Sequence, residues 1–306
     1  MWKWQPKLGK IENARVVRMT PFLFFGCWNR DGPARDMVLA AVRDSEIKTV
    51  ILGGDNIYPQ KVGKAKTYML ETLAHGAAFL ADKTVYTAIG NHNIANPTVF
   101  EAQKKLWNIS ERFYRFKHDG MDFIVLDTNS MNNADMATWF AEQLAELQTS
   151  SLPYYLVQHE PYASFKKGKM QILADSAPYL HRLATYPPRA VLCADTHNYQ
   201  RGVLRIGGVE ITQIVVGTGG AEPDPIIVEY MDSQGRQIMM EDGMYELQDY
   251  VPGYGYLRVD ERGEEFILVV PWDKVGGGGR RSRSRRTKKL MRRRNRTRRS
   301  RNRKHE

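Results

Sequence analysis

The sequence predicts an α/β fold, a sandwich of mixed β-sheets with helices outside, and three observations carry that expectation. Short apolar runs alternate with stretches of helical spacing through the N-terminal part of the chain. Several of these runs stop at glycine or at a residue that can titrate or coordinate, as buried strands do where they leave a sheet. Further along, paired apolar runs flank polar turns, the pattern of β-hairpins.

In order, Thr20-Pro21-Phe22-Leu23-Phe24-Phe25 reads as a buried strand ending at Gly26-Cys27-Trp28-Asn29. Pro33 opens a helix with Met37, Val38, Ala41 and Val42 expected on its buried face. Val50-Ile51-Leu52 stops at Gly53-Gly54, and the next residues are Asp55-Asn56-Ile57-Tyr58. A helical stretch from about Lys64 to Leu80 precedes a strand, Thr84–Ile89, which runs into Gly90-Asn91-His92-Asn93; a helix from Thr98 to Leu106 follows. Phe113–Phe116 and Phe123–Leu126 bracket His118-Asp119-Gly120, a hairpin with an Asp-Gly turn.

From Ala134 to Gln148 a helix is expected, with Trp139, Phe140, Leu144 and Leu147 on one stripe, and it leads to the strand before His159. Another helix is expected between Lys166 and Tyr186, limited by Pro178. Ala190–Ala194 runs into Asp195-Thr196-His197, and Gln200–Gly217 alternates as antiparallel strands would. Residues 222–252 read as a polar, irregular excursion before a last hairpin, Tyr254–Val259 with Phe266–Val270. Three segments result: a polar lead (1–19), a folded domain (20–275), and a glycine linker with a basic tail (276–306).

Averaged charge misleads here. Of the net +11, residues 280–306 hold 16 Lys and Arg against one Glu, leaving the rest with 29 basic and 33 acidic residues, a net of −4. A tail so charged cannot bury enough apolar surface to fold by itself. Its arginines, Arg280, Arg281, Arg283, Arg285, Arg286, Arg292, Arg293 and Arg294 among them, suit DNA or RNA as partner, or a nuclear address. Only two cysteines occur, which argues against a disulfide-stapled secreted protein. With no signal-like apolar run and no stretch of about 20 apolar residues, the expectation is an intracellular, cytoplasmic or nuclear protein without a membrane partner.

Ligands of open α/β sheets bind outside the carboxyl ends of the strands, so Asp55, Asn91, His159, Asp195 and His197 are badly placed for packing and well placed for chemistry. Oxygen and imidazole donors at several strand ends suggest a metal site. Together, Gly54-Asp55-x-x-Tyr58, Gly90-Asn91-His92, Val157-x-His159 and Asp195-x-His197-Asn198-Tyr199-Gln200-Arg201 resemble the calcineurin-like metallophosphoesterases. Tyr58 and the His-Asn-Tyr-Gln-Arg string look like the purple (tartrate-resistant) acid phosphatase branch.

The resemblance, over roughly residues 20–220, implies a four-layer α/β/β/α sandwich of two mixed sheets. It implies two divalent metal ions, Mn, Zn or Fe, at the strand carboxyl ends, and hydrolysis of phosphate mono- or diesters by a hydroxide held on them. By motif position Asp55 would bridge, Tyr58 and His197 would serve the first ion, Asn91 and His159 the second. His92 would be the acid that protonates the leaving alkoxide or stabilises the phosphate. Two ligand positions are altered: Cys27 stands where the family has aspartate, and Asp195 where it has histidine. Both retain coordinating ability, although Cys27 reads equally as a buried small hydrophobe. Asn93 replaces a family acidic residue, and Asp127-Thr128-Asn129 is one more strand end facing the crevice. The competing expectation is a catalytically silent scaffold or nucleic-acid packaging protein with the tail as its working part.

Overall fold

The computed structural model describes residues 21–58, 65–107, 109 and 111–275. The polar lead, the glycine linker and the basic tail, with every arginine proposed to bind nucleic acid, lie outside the described residues.

The N-terminal half begins with β1 (Phe22–Phe25), α1 (Pro33–Asp44), β2 (Thr49–Leu52), α2 (Ala65–Phe79), β3 (Thr84–Thr87) and α3 (Pro97–Trp107). It continues with β4 (Tyr114–His118), β5 (Met121–Val125), α4 (Ala134–Ser150) and β6 (Tyr154–Val157). Next come β7 (Ala163–Lys166), β8 (Lys169–Ile172), α5 (Ala177–Thr185), β9 (Val191–Cys193), β10 (Tyr199–Ile206) and β11 (Val209–Val216). The remainder is α6 (Val228–Ser233), β12 (Gln237–Met240), β13 (Gly243–Val251), β14 (Gly253–Asp260), β15 (Gly263–Pro271) and α7 (Trp272–Val275).

Two mixed sheets result. The first runs β15-β14-β1-β2-β3, the second β12-β13-β10-β11-β9-β6-β5-β4, and β7-β8 stands apart as a two-stranded ribbon. Part of each sheet is parallel: β1, β2 and β3 in one, β5, β6, β9 and β11 in the other. Parallel strands covered on both faces need apolar side chains on both, which is why FLFF, TVIL and YYLV are buried throughout.

Layering follows from the alternation of side chains. On β5, Phe123 and Val125 join one core with Phe22, Phe24, Val50 and Leu257, whereas Ile124 joins another with Phe140 and Leu144 of α4 and Leu180 of α5. The first core lies between the sheets and continues under α1; the second lies between the larger sheet and its helices. The four layers implied by the resemblance are therefore present. Phe22 binds the sheets across the middle through Phe123 and Tyr155, at 5.1 and 5.4 Å between rings, each such contact contributing about 0.5–1.5 kcal/mol beyond its buried area.

Three expectations need correction. Met37 is 43% exposed, because α1 packs through Ala34, Val38, Leu39 and Val42 and the residue beside Val38 is turned about 100° away. The stretch 166–186 is not one helix: the ribbon β7-β8 comes first, and α5 starts only at Ala177. Residues 222–252, expected to be irregular, contain α6, β12 and β13, and β13 pairs with β10 along the larger sheet.

Candidate metal centre

The chain turns sharply where parallel strands end. Cys27 (φ 53°), Asp55 (φ 52°) and Asp195 (φ 48°) all hold the left-handed conformation just past β1, β2 and β9. Non-glycine residues avoid it, and three converging on one spot are the kind of strain found at functional sites. Cys27 is fixed by its own backbone: its N–H donates to the Gly54 carbonyl (3.0 Å), and its carbonyl accepts from Ala221 N–H (2.9 Å).

Glycines let the strand ends close in. A Cβ on Gly54 would stand 2.7 Å from His159 Nδ1, and one on Gly90 would land on the Asp55 carboxylate. Asn93, buried behind them, accepts with Oδ1 from Asp55 N–H (2.7 Å) and Gly90 N–H (2.8 Å) and donates to Gln103. His92 N–H donates to Asp55 Oδ1 at 3.0 Å. Asp55 is thus held at its backbone N–H by Asn93 and at its carboxylate by the His92 N–H.

Cys27, Asp55 and His159 are all buried, and one donor atom of each lies within 4.8 Å of the others. His159 is fully buried, donates Nδ1–H to the Gly53 carbonyl at 2.7 Å, and leaves Nε2 without a hydrogen-bond partner. That nitrogen faces Asp55 Oδ1 at 3.4 Å and Asp195 Oδ1 at 3.7 Å. An imidazole anchored by one nitrogen, with the other bare beside carboxylates and a thiol, is the arrangement that holds a transition metal, so these residues fit the ion.

Around this trio the other sequence candidates divide. Tyr58 O–H reaches His197 Nε2 at 3.2 Å, and its ring lies 4.8 Å from that of His92. His197 donates Nδ1–H to the Glu222 carbonyl at 2.7 Å, so it accepts at Nε2. His92 Nε2 is 3.9 Å from Asp55 Oδ2 on the half-open side of the site. Asn91, next to His92, is exposed, and among the described residues its side chain makes no hydrogen bond. Asp127, at the end of β5, is taken by Arg112 at 2.5 Å and by Asn129, which also donates to the Ile89 carbonyl. Arg201 pairs with Glu264 at 3.4 Å and takes no part.

Electrostatics follow from the burial of opposite charges together. Burial opposes protonation of His159, yet Asp55 and Asp195 outweigh it and raise its pKa, and an ion on Nε2 would compete with that proton. Burial, then Asp55 and Asp195, push the Cys27 thiol well above its ordinary range. Burial likewise raises the Tyr58 phenol, with Cys27 and Asp55 adding to it. For His197 burial dominates and lowers the pKa. Asp195 lies below the ordinary carboxylate range, because His159, Lys166 and the Gln171 amide overcome the burial that would raise it.

Sequence reasoning missed the residues that surround Asp195. Lys167 (φ 45°) and Gly168 (φ 73°) form the tight turn of the β7-β8 ribbon, which is laid over the Asp195-Thr196-His197 loop. Ser164 shares a hydrogen bond with Thr196 (2.8 Å), and Phe165 N–H donates to Gln200 Oε1 (3.0 Å). Through this ribbon Gln171 donates to Asp195 Oδ2 at 2.9 Å, and Lys166 Nζ lies 3.7 Å from the same oxygen and 3.3 Å from Asp224. The signal was present as Lys167-Gly168 between two short alternating runs, a hairpin pattern.

No family model matches the sequence, and no curated protein matches it. Solved structures do. A purple acid phosphatase from yellow lupin seeds (Lupinus luteus) aligns with 13% identity and a TM-score of 0.58 over 82% of this chain and 51% of its own, about half of that protein. A dimetal phosphatase from Danio rerio aligns with 12% identity and a TM-score of 0.56 over 83% and 99% of the two chains. GAP50, described as the anchor in the inner membrane complex of Plasmodium, aligns with 12% identity and a TM-score of 0.55 over 82% and 85%. At such identities the likeness is one of fold.

Proposed function

We propose that this chain, which has the fold of the calcineurin-like metallophosphoesterases, is a metal-dependent phosphoric ester hydrolase. One observation carries the reading: the fully buried His159 keeps Nε2 without a hydrogen-bond partner, beside Asp55 and within reach of Cys27. A buried polar atom left so costs roughly 1–3 kcal/mol, which an ion would relieve. Cys27, Asp55 and His159 would hold it, with Tyr58 and His197 alongside. A divalent ion there would polarise phosphoryl oxygens and make water a nucleophile near neutral pH.

The chain's own residues would do the rest. Asp55, pinned by His92 N–H and by Asn93, keeps its carboxylate aimed into the site. His92, 38% exposed and steadied against the Tyr58 ring, is placed to give a proton to the leaving oxygen of an incoming ester. The test is hydrolysis of generic phosphate mono- and diesters by the full chain loaded with Mn²⁺, Zn²⁺ or Fe²⁺. Turnover that falls by orders of magnitude in Asp55→Asn and His92→Ala supports the reading; no turnover with any of the three metals ends it.

A second reading keeps the fold as a silent scaffold. It is favoured by the exposure of Asn91 and by the engagement of Asp195 with Gln171 and Lys166, and GAP50, of like fold, is described as an anchor. In either case the +15 tail is proposed to bind DNA or RNA, in a cytoplasmic or nuclear setting. Among the described residues no helix is long and apolar enough to cross a membrane. Binding of a DNA duplex that weakens steeply with salt and is lost on deleting residues 276–306 would support the tail's role; salt-independent binding would refute it. Under the scaffold reading that deletion abolishes function while Asp55→Asn is neutral.

A further inference from the structure

We infer that Lys166 supplies, as a built-in ammonium, the positive charge that a second ion would bring, so that the centre takes a single divalent ion. The inference rests on the metal reading of the site given above. A second ion would need Asn91, His159 and Asp195 as its seat. Asn91 is exposed and His159 Nε2 faces Asp195 Oδ1 at 3.7 Å, so such a seat turns on Asp195. Its Oδ2 accepts from Gln171 Nε2 at 2.9 Å and is ion-paired with Lys166 Nζ at 3.7 Å.

Lys166 is not a surface lysine that can swing aside. It ends β7, a strand clamped through Ser164 to Thr196 and through the Phe165 carbonyl, which accepts from Gln200 and Asn198. Asp224 faces the ammonium from the other side at 3.3 Å and is itself held by Lys167 at 2.6 Å. A fixed ammonium repels a cation approaching the carboxylate it neutralises. Where the resemblance implies a neutral imidazole ligand, position 195 carries a carboxylate that is half of an ion pair.

Elemental analysis of the full chain, loaded with Mn²⁺ and gel-filtered, reads this directly. One ion per chain is expected in the wild type and in Lys166→Arg, and two in Lys166→Met/Asp195→His, which removes the ammonium and restores an imidazole. Two ions in the wild type, or one in a folded double variant, would overturn the inference. No ion in the wild type would instead bring down the metal reading beneath it. Electron paramagnetic resonance of the Mn²⁺-loaded wild type needs no variant: the spectrum of an isolated ion is expected, and that of a spin-coupled pair refutes the inference.

Discussion

Replacing Asn93 by alanine tests how the Asp55 carboxylate is held. The substitution leaves three buried polar groups without partners: the N–H of Asp55, the N–H of Gly90 and the Gln103 amide oxygen. Each orphan costs about 1–3 kcal/mol, and because a water can enter the vacated space the low end applies, about 3 kcal/mol in all. For a domain of this size that lowers the melting temperature by roughly 6–10 °C. Metal affinity should fall about 10–100-fold, as it does when the groups that orient a ligand are removed. Asn93→Asp should be milder, since it keeps the acceptor for both N–H groups and Gln103 can turn its amide to donate. Thermal melts with and without Mn²⁺ measure both effects. A melting temperature within about 2 °C of wild type and unchanged affinity would show that Asn93 does not hold the site together.

Other perturbations follow from the same geometry. His159→Ala should abolish the rise in melting temperature that Mn²⁺ or Zn²⁺ produces by binding the folded state; a rise of wild-type size would exclude His159 as a ligand. Gly90→Ala drives a methyl group into the Asp55 carboxylate, so a loss of about 1–3 kcal/mol in stability is expected together with impaired metal uptake, and denaturant melts check the first. Burial would raise the pKa of Asp224, but the hydrogen bond from Lys167, with His197 and Lys166, brings it below the usual carboxylate value. A lowered folded pKa contributes stability above the unfolded value, about 4, that is lost as pH falls through the folded one. The stability gap between metal-free wild type and Asp224→Asn should thus be full near neutrality and close on acidification; a gap that widens instead would contradict the pairing.

The parts of the fold legible in the sequence are those dictated by local rules. Parallel strands buried on both faces have to be continuously apolar, so β1, β2 and β6 announced themselves, and the glycines after β1 and β2 marked where the chain opens on the site. Cys27, Asp55, His159 and His197 were readable because each follows such a stop. What escaped was half-exposed or depended on partners far along the chain. In β8, the KMQI side chains are largely exposed, so the only mark of the ribbon was its Lys167-Gly168 turn between two short runs. In β12 and β13, polar residues face outward and pairing with β10 alone supplies the order. Lys166 and Asn93 could not be seen as site residues, since what makes them so is the distance to Asp195 and to the backbone of Asp55.

The left-handed residues at three strand ends set stability against chemistry. Glycine at position 27, 55 or 195 would relieve backbone strain of roughly 1 kcal/mol or more, so the folded chain is most easily made more robust at the very places where its donor groups sit. Selection for thermal tolerance alone would strip this protein of its ligands while leaving its architecture intact. A thiol and two carboxylates in those postures stand against the grain of the folding landscape, and random variants chosen only for heat resistance should lose them first.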